Sequence, residues 1–176
     1  MAVSRSWKRS AALAVGASLT ASALAAAPAD AAPSPLLQCQ GTESTTYDPT
    51  VVFRPRDVDI TVEGRFDSCV GGAGEVTSGA YGERFTLHVG CNNLLDGFQD
   101  RRTFTWSTGD SSVAAVTGTT NAVAGQVITT ITGTVVQGRH QGRSVLQVIT
   151  LPQPDLLLCF TTGLRGATGV TTLTLT

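Results

Sequence analysis

The chain has 176 residues, with 12 Lys or Arg and 13 Asp or Glu, so its formal net charge at pH 7 is −1. A charge this close to zero offers no basic surface to nucleic acid or to an anionic membrane, and we expect neither as a partner. Beyond residue 31 no run is apolar enough to span a bilayer. These properties indicate a globular protein rather than a nucleic-acid-binding or membrane protein.

Residues 1–31 have the three parts of a secretory signal peptide. Three basic side chains come first, residues 11–25 are apolar and rich in Ala, and residues 29–31 form an Ala-Asp-Ala cleavage site. We therefore expect cleavage before Ala32 and secretion of the mature chain to the extracellular space. The mature chain has nine Arg, twelve acidic residues and no Lys.

Residues 32–38 are predicted to form a flexible leader, because two prolines prevent them from pairing inside a sheet. The leader would display the apolar side chains of Leu36 and Leu37, which makes these two residues candidates for binding a partner. Residues 39–176 are predicted to form a single domain, a size that one hydrophobic core can support.

The four cysteines are an even number in an exported chain, which favours two disulfides. Their spacings contain no C-x-x-C pair, so zinc knuckles and thioredoxin-like redox chemistry are not expected. Three pairings are possible. The strand pattern favours Cys39 with Cys69 and Cys91 with Cys159 over the other two.

Runs of Thr, Val and Ile with a period of two predict about eight strands separated by Gly and Pro turns. The clearest strand places Val58, Ile60, Val62 and Phe66 on one face, with Gly64 as a predicted bulge. The predicted extended segments are, in chain order, 42–47, 51–53, 57–66, 76–78, 85–91, 102–107, 111–120, 126–137, 143–151 and 169–176.

The strand at 102–107 contains the only tryptophan of the mature chain. Phe104 and Trp106 alternate with polar residues, so both are predicted to face the core. Gly109 follows in a tight turn, since glycine adopts a positive φ without strain.

The fold class predicted from this pattern is all-β, with two packed sheets forming a sandwich. The reason is that a single open sheet could not bury both faces in a chain of this size. A closed β-barrel is the alternative. The spacing of Cys91, Trp106 and Cys159 is similar to that of immunoglobulin-type domains, in which a tryptophan stacks on an inter-sheet disulfide, although Leu157 stands where that family has a tyrosine.

No catalytic, cofactor or metal site is predicted, and we expect the protein not to be an enzyme. His88 and His140 belong to no nucleophile motif, and all four cysteines are expected to be bonded. Asp57, Asp59 and Glu63 share an exposed strand face, on which alternate residues lie about 6.6 Å apart, too far for a compact calcium site.

Three binding functions remain, and we expect the partners to be other secreted proteins. A protease inhibitor would present the loop at 92–97 beside Cys91, and a carbohydrate-binding module would need exposed aromatic residues such as Tyr47 and Tyr81. An adaptor would need a strand edge or the leader. The adaptor is the favoured interpretation.

The mature pattern resembles a family of small secreted actinobacterial proteins that have four cysteines and no assigned chemistry. It is also similar in size to the small disulfide-bonded β subunit that joins a lectin-bearing subunit to a stalk in streptomycete umbrella toxin particles. This resemblance implies an adaptor in a secreted multiprotein complex. The matching residues are Cys39, Gly41, Tyr47, Pro49, Cys69, Cys91, Trp106, Gly109, Ser112, Cys159 and Gly163.

Overall fold

The structure is a computed structural model that describes residues 37–176. It is all-β, as predicted, with eight strands, one short helix (α1) and a single 3-10 turn at Gly72–Gly74. The elements are β1 (Leu37–Val51), β2 (Arg56–Gly71), β3 (Gly79–Val89), β4 (Phe98–Trp106), β5 (Ser111–Val123), β6 (Gln126–Gly138), β7 (Ser144–Pro152), α1 (Leu156–Phe160) and β8 (Leu164–Leu175).

The strands form a closed barrel rather than the predicted sandwich. Each strand pairs antiparallel with the next one in the chain, and β8 returns to pair with β1, for example Leu37 with Leu175. The sandwich prediction was wrong because a sheet that closes on itself needs to bury only its inner face. The alternative given from the sequence, a barrel, is the architecture found.

The strand directions give the barrel two distinct ends. At the closed end, where β1 begins and β8 finishes, the interior is packed with apolar side chains. The open end carries the connections at 52–55, 90–97, 124–125 and 153–163. The fully or almost fully buried residues near the closed end include Leu37, Phe66, Phe104, Trp106, Val135 and Leu175.

Trp106 lies in the core, as predicted, with 5% of its surface exposed. It stacks on Phe104 with a centroid distance of 5.7 Å, and its indole N–H donates to the Ser112 hydroxyl at 2.9 Å. The pairing of Trp106 with Gly79 puts it at the closed end, whereas Cys91 follows β3 at the open end. The tryptophan therefore does not stack on the Cys91–Cys159 bridge as it would in an immunoglobulin-type domain.

Both predicted disulfides are present. Cys39 and Cys69 are directly opposite each other on β1 and β2, with their Cα atoms 4.0 Å apart. A bulge at Asp67 makes this possible, because Gln40 pairs with Ser68 while the next residue pairs with Phe66. The extra residue changes the phase of β2, so that Phe66 and Cys69 both face inward.

The bulge predicted at Gly64 is not there. Gly64 pairs in regular register with Glu43 on one side and Tyr81 on the other. The Tyr81 ring lies directly over it, and a Cβ at this position would be 2.0 Å from the ring atom Cζ. Glycine is therefore required here for the close approach of an aromatic ring and not for a change of register.

The start of β1 corrects the predicted leader. Leu37 and Gln38 are already paired with β2 and β8, and the Leu37 side chain is fully buried. Leu37 therefore cannot serve as a displayed contact residue, because the barrel itself buries it. Leu36, the rest of the leader and the predicted signal peptide lie outside the described residues. Within residues 37–176, no helix is long and apolar enough to cross a membrane.

Candidate functional site: a cavity behind a gap in the barrel wall

The wall of the barrel is incomplete between β3 and β4. Only three residue pairs join these strands, and the last of them is Tyr81 with Phe104. Residues 82–89 of β3 remain paired with β2, and residues 98–103 of β4 remain paired with β5, but they do not pair with each other. We call the space between these two segments the β3–β4 gap.

A cavity of about 600 Å³ lies behind this gap, in the open half of the barrel. Its volume falls within the range of roughly 300–1,000 Å³ that is typical of small-molecule sites. All eight strands and the connections at 90–97 and 153–163 contribute to its lining. The apolar lining residues include Ile60, Val62, Phe85, Leu87, Val127 and Leu151.

The inner face of β3 shows that the side chains of residues 37–176 do not fill this half of the barrel. Tyr81 and Val89 are buried, as the alternation predicts for inward-facing positions. Phe85 and Leu87 lie on the same face between them, yet they are 36% and 48% exposed. Phe98, across the gap, is 37% exposed. Apolar side chains that face inward but contact solvent indicate space for a ligand.

Polar side chains form the floor of the cavity, above the packed closed half. Glu43 is only 4% exposed, and the Tyr81 hydroxyl donates a 2.6 Å hydrogen bond to its Oε2. The Tyr81 hydroxyl also lies 3.2 Å from Thr171 Oγ1. The Gln147 amide in turn donates to Thr171 Oγ1 at 2.9 Å. These contacts fix the Tyr81 ring and place the Glu43 carboxyl group beside the cavity.

Arg102 connects β3 and β4 at the edge of the gap, where the backbone pairing of the two strands stops. Its guanidinium forms a two-point ion pair with Glu83, with Nε–Oε1 and Nη2–Oε2 distances of 2.6 and 3.0 Å. Its Nη1 donates to Gln147 Oε1 at 2.9 Å, and the group lies 4.7 Å from the Tyr81 ring centroid. Because Glu83 is on β3 and Arg102 is on β4, the ion pair connects the two strands just beyond their last paired residues.

Burial controls the electrostatics of this floor. Removal from water raises the pKa of Glu43, although the Tyr81 hydrogen bond and the Arg102 charge oppose the shift. Burial and the neighbouring Glu43 charge raise the pKa of Tyr81, so its hydroxyl stays a donor. Burial alone would lower the pKa of Arg102, but its bonds to Glu83 outweigh that effect and raise it. The guanidinium is therefore charged at all relevant pH values.

The second disulfide holds the loops at the open end together. Cys91, in the connection after β3, is bonded to Cys159 in α1. The backbone N–H of Cys91 donates to Val52 O, and that of Phe53 donates to Cys159 O, both at 3.1 Å. Three connections are thereby joined at the rim. Residues 93–97, which are most of the loop at 92–97 proposed for an inhibitor, line the cavity.

The two histidines singled out in the sequence are far apart in the barrel. The His88 imidazole is 69% exposed and lies 2.9 Å from Asp57 on the outer surface. His140 is in the connection after β6 at the closed end, in edge contact with Trp106 at 5.9 Å. Burial, with the Arg139 charge, lowers the pKa of His140. The structure does not bring these two groups together.

The acidic residues singled out in the sequence lie on the outer surface, away from the cavity floor. Asp59 is on the outer face of β2, where it accepts a hydrogen bond from Thr86. Residues 37–176 contain no group of three His, Cys, Asp or Glu side chains placed to hold a metal ion. Tyr81, considered as an exposed aromatic for sugar binding, is 5% exposed, and Tyr47 is half-buried against the core.

Sequence reasoning missed the residues that matter most in this site, Glu43 and Arg102. A signal for Arg102 was available, because it shares a strand face with Phe104 and Trp106, where a charged residue must be either paired or functional. Glu43 was harder to find, since its strand is rich in Thr and has no clear apolar face.

The chain matches no protein-family model, no curated protein and no solved structure.

Proposed function

We propose that this protein is a secreted binding protein that holds one small, mainly apolar molecule in the cavity behind the β3–β4 gap. The observation that carries the proposal is the exposure of Phe85 and Leu87 on the inner face of a barrel strand. An eight-stranded barrel is just wide enough either to be filled by side chains or to enclose one small ligand. In this barrel, side chains of residues 37–176 fill the closed half and leave the cavity in the open half.

Three further features support binding at this place. The gap gives a route from solvent to the cavity through the barrel wall. The polar floor offers a few fixed groups that would orient the ligand, as small-molecule sites commonly do. The loops at the open end are joined by Cys91–Cys159, which preserves the shape of the rim. Two disulfides also suit the oxidising extracellular location that the signal peptide predicts.

The proposal describes binding without catalysis, in line with the expectation from the sequence. The functional groups at the floor are engaged with one another. Arg102 is held by Glu83 and Gln147, and Tyr81 by Glu43 and Thr171. Groups held in this way can orient a ligand, and the raised pKa of Tyr81 keeps its hydroxyl protonated, so that no phenolate is present to act as a base.

The test is a titration of the mature protein with N-phenyl-1-naphthylamine, an uncharged apolar dye that fluoresces when it leaves water. We expect saturable binding of one dye per chain. Leu87→Trp should abolish it by filling the cavity. Val170→Trp is the matched control, because Val170 is equally apolar and 57% exposed on β8 but does not line the cavity.

Dye binding that is equally strong in both variants would contradict the proposed site, and a dye that does not bind the unaltered protein would contradict the function. Circular dichroism of both variants shows whether the barrel is intact. Extraction of the protein purified from its secreting host, followed by mass spectrometry, would identify a retained natural ligand.

The adaptor role predicted from the sequence is a second candidate, and one observation favours it. Leu157 and Phe160 of α1 are 70% and 68% exposed, and Phe160 stacks on Phe53 at 5.0 Å. Exposed apolar patches of this kind often contact another protein. A pull-down from culture supernatant should recover a stoichiometric secreted partner, and a Leu157→Ser, Phe160→Ser variant should lose it. An unchanged recovery would remove α1 from this role.

A further inference from the structure

We propose that the ligand of the cavity is an apolar amine, whose ammonium group pairs with the carboxylate of Glu43. This inference rests on the proposed binding function and specifies the chemistry of the ligand. It is carried by a surplus of negative charge around a mainly apolar space, together with a buried carboxylate that has little compensation from the protein.

Glu43 lines the cavity with a carboxyl group of which only one oxygen is hydrogen-bonded within residues 37–176. Its side chain is almost completely buried, and the hydrogen bond from Tyr81 reaches only Oε2. Within residues 37–176, no hydrogen bond reaches Oε1. An ionised carboxylate accepts up to about four hydrogen bonds, and burying one without a partner is costly. A bound ammonium group would supply both a positive charge and donors.

Arg102 does not fill this role, because it is already committed. Both oxygens of Glu83 and the Gln147 amide oxygen take three of its N–H groups. Because Arg102 is paired with Glu83, its charge compensates that of Glu43 only in part, and no side chain of residues 37–176 forms an ion pair with Glu43. The same arrangement disfavours an anionic ligand, which would meet Glu43 and Glu83 before it reached a free cation.

The other side chains that line the cavity also favour a positively charged ligand. Asp96 and Asp100 add two more acidic side chains to the wall of the cavity, whereas its basic lining residues among those described are Arg102 and the largely exposed His88. Tyr47, Phe85 and Phe98 contribute aromatic rings to the lining. Aromatic faces attract ammonium groups, and more strongly when water is excluded. The apolar residues around them would take the hydrocarbon body of the ligand.

The effect of ligand charge can be measured with three compounds that share one hydrocarbon body but differ in charge. They are 1-adamantylamine, 1-adamantanol and 1-adamantanecarboxylate. Each is used to displace N-phenyl-1-naphthylamine from the mature protein at pH 7. We expect the amine to bind at least about tenfold more tightly than the alcohol, the size of one charge-assisted hydrogen bond, and the carboxylate to bind most weakly. An alcohol that binds as tightly as the amine would overturn the proposal.

The variant Glu43→Gln should remove the preference for the amine and leave the affinity for the alcohol within about threefold. Glu63→Gln is the matched control, because it makes the same change at an exposed residue on the outer face of β2 that does not line the cavity, and it should retain the preference. A Glu43→Gln variant that still prefers the amine would refute the role of Glu43.

The pH dependence gives a test in the unaltered protein. The ionisable groups around Glu43 are Tyr47 on β1, Tyr81 and Glu83 on β3, and Arg102 on β4. Protonation of Glu43 removes its charge, so the affinity for the amine should fall as the pH is lowered, while that for the alcohol should change less than threefold. Equal pH profiles for both would contradict the proposal. Failure of the dye to bind would instead remove the cavity function itself, so the two failures are distinguishable.

Discussion

The buried ion pair at the β3–β4 gap gives the most direct test of how this barrel is held together. Arg102 is 3% exposed and Glu83 12% exposed, so each charge depends on the other rather than on water. Replacing Arg102 with Met keeps most of the side-chain volume but leaves Glu83 unpaired and Gln147 without its donor. Removal of one partner from a buried pair typically costs about 3–5 kcal/mol, and we expect a loss of that size here.

The assay is urea unfolding at pH 7, followed by the fluorescence of Trp106, the only tryptophan after residue 31. Arg101→Met is the matched control, because Arg101 is the exposed neighbour on the same strand. We expect this control to change the free energy of unfolding by less than about 0.5 kcal/mol. A loss below about 1 kcal/mol for Arg102→Met would refute the argument, because the pair would then behave as a surface salt bridge.

The stability that Arg102→Met loses should depend on pH, and the structure predicts the direction of that dependence. Burial raises the pKa of Glu43 on folding, so the folded state carries a cost when this group is ionised. Arg102 reduces that cost, and Arg102→Met restores it. As the pH falls through the raised pKa, Glu43 takes up a proton and the cost disappears. The difference between wild type and Arg102→Met should therefore be smaller at pH 5 than at pH 7. A difference that grows on acidification would show that Glu43 is not involved.

Three other sets of variants test the core packing, the Cys91–Cys159 disulfide and the contact of Gly64 with Tyr81. Trp106→Ala should cost about 3–5 kcal/mol, because it empties a site at the packed end, and a native emission maximum as red as that of the unfolded chain would contradict its burial. Replacing Cys91 and Cys159 with Ser opens a long covalent loop and should cost about 4.5 kcal/mol in the chain-entropy model, as measured by urea unfolding. Gly64→Ala should destabilise the barrel because its Cβ meets the Tyr81 ring, and the same substitution should cost less when it is made in a Tyr81→Ala variant. An unchanged unfolding midpoint for Gly64→Ala would contradict the contact.

The local features of the barrel were largely accessible from the sequence. Val58, Ile60, Val62 and Phe66 all face the interior as their spacing predicts, and none is more than 7% exposed. Trp106 is buried, and the cysteines pair as the strand pattern favoured. These features depend on the alternation of side chains along single strands, which a sequence displays directly.

The closure of the sheet was not accessible in the same way. A period of two shows that one face is buried, but a second sheet or the far wall of a barrel can cover that face equally well. The choice depends on strand tilt and on the pairing of β1 with β8, which are more than 100 residues apart in the chain. The gap between β3 and β4 is also a property of the closed sheet, and the residues beside it show a regular strand pattern.

The position of the ion pair explains why the cavity begins where it does. Up to the Tyr81–Phe104 pair, aromatic rings fill the barrel and the strands stay in register. The next inward pair is Glu83 and Arg102, whose charges must satisfy each other and cannot pack against further apolar layers. Beyond it, Phe85 and Leu87 extend into the half of the barrel that the described side chains leave unfilled. The same charged pair that ends the core therefore also forms part of the polar floor of the cavity, so stability and ligand binding depend on one set of contacts.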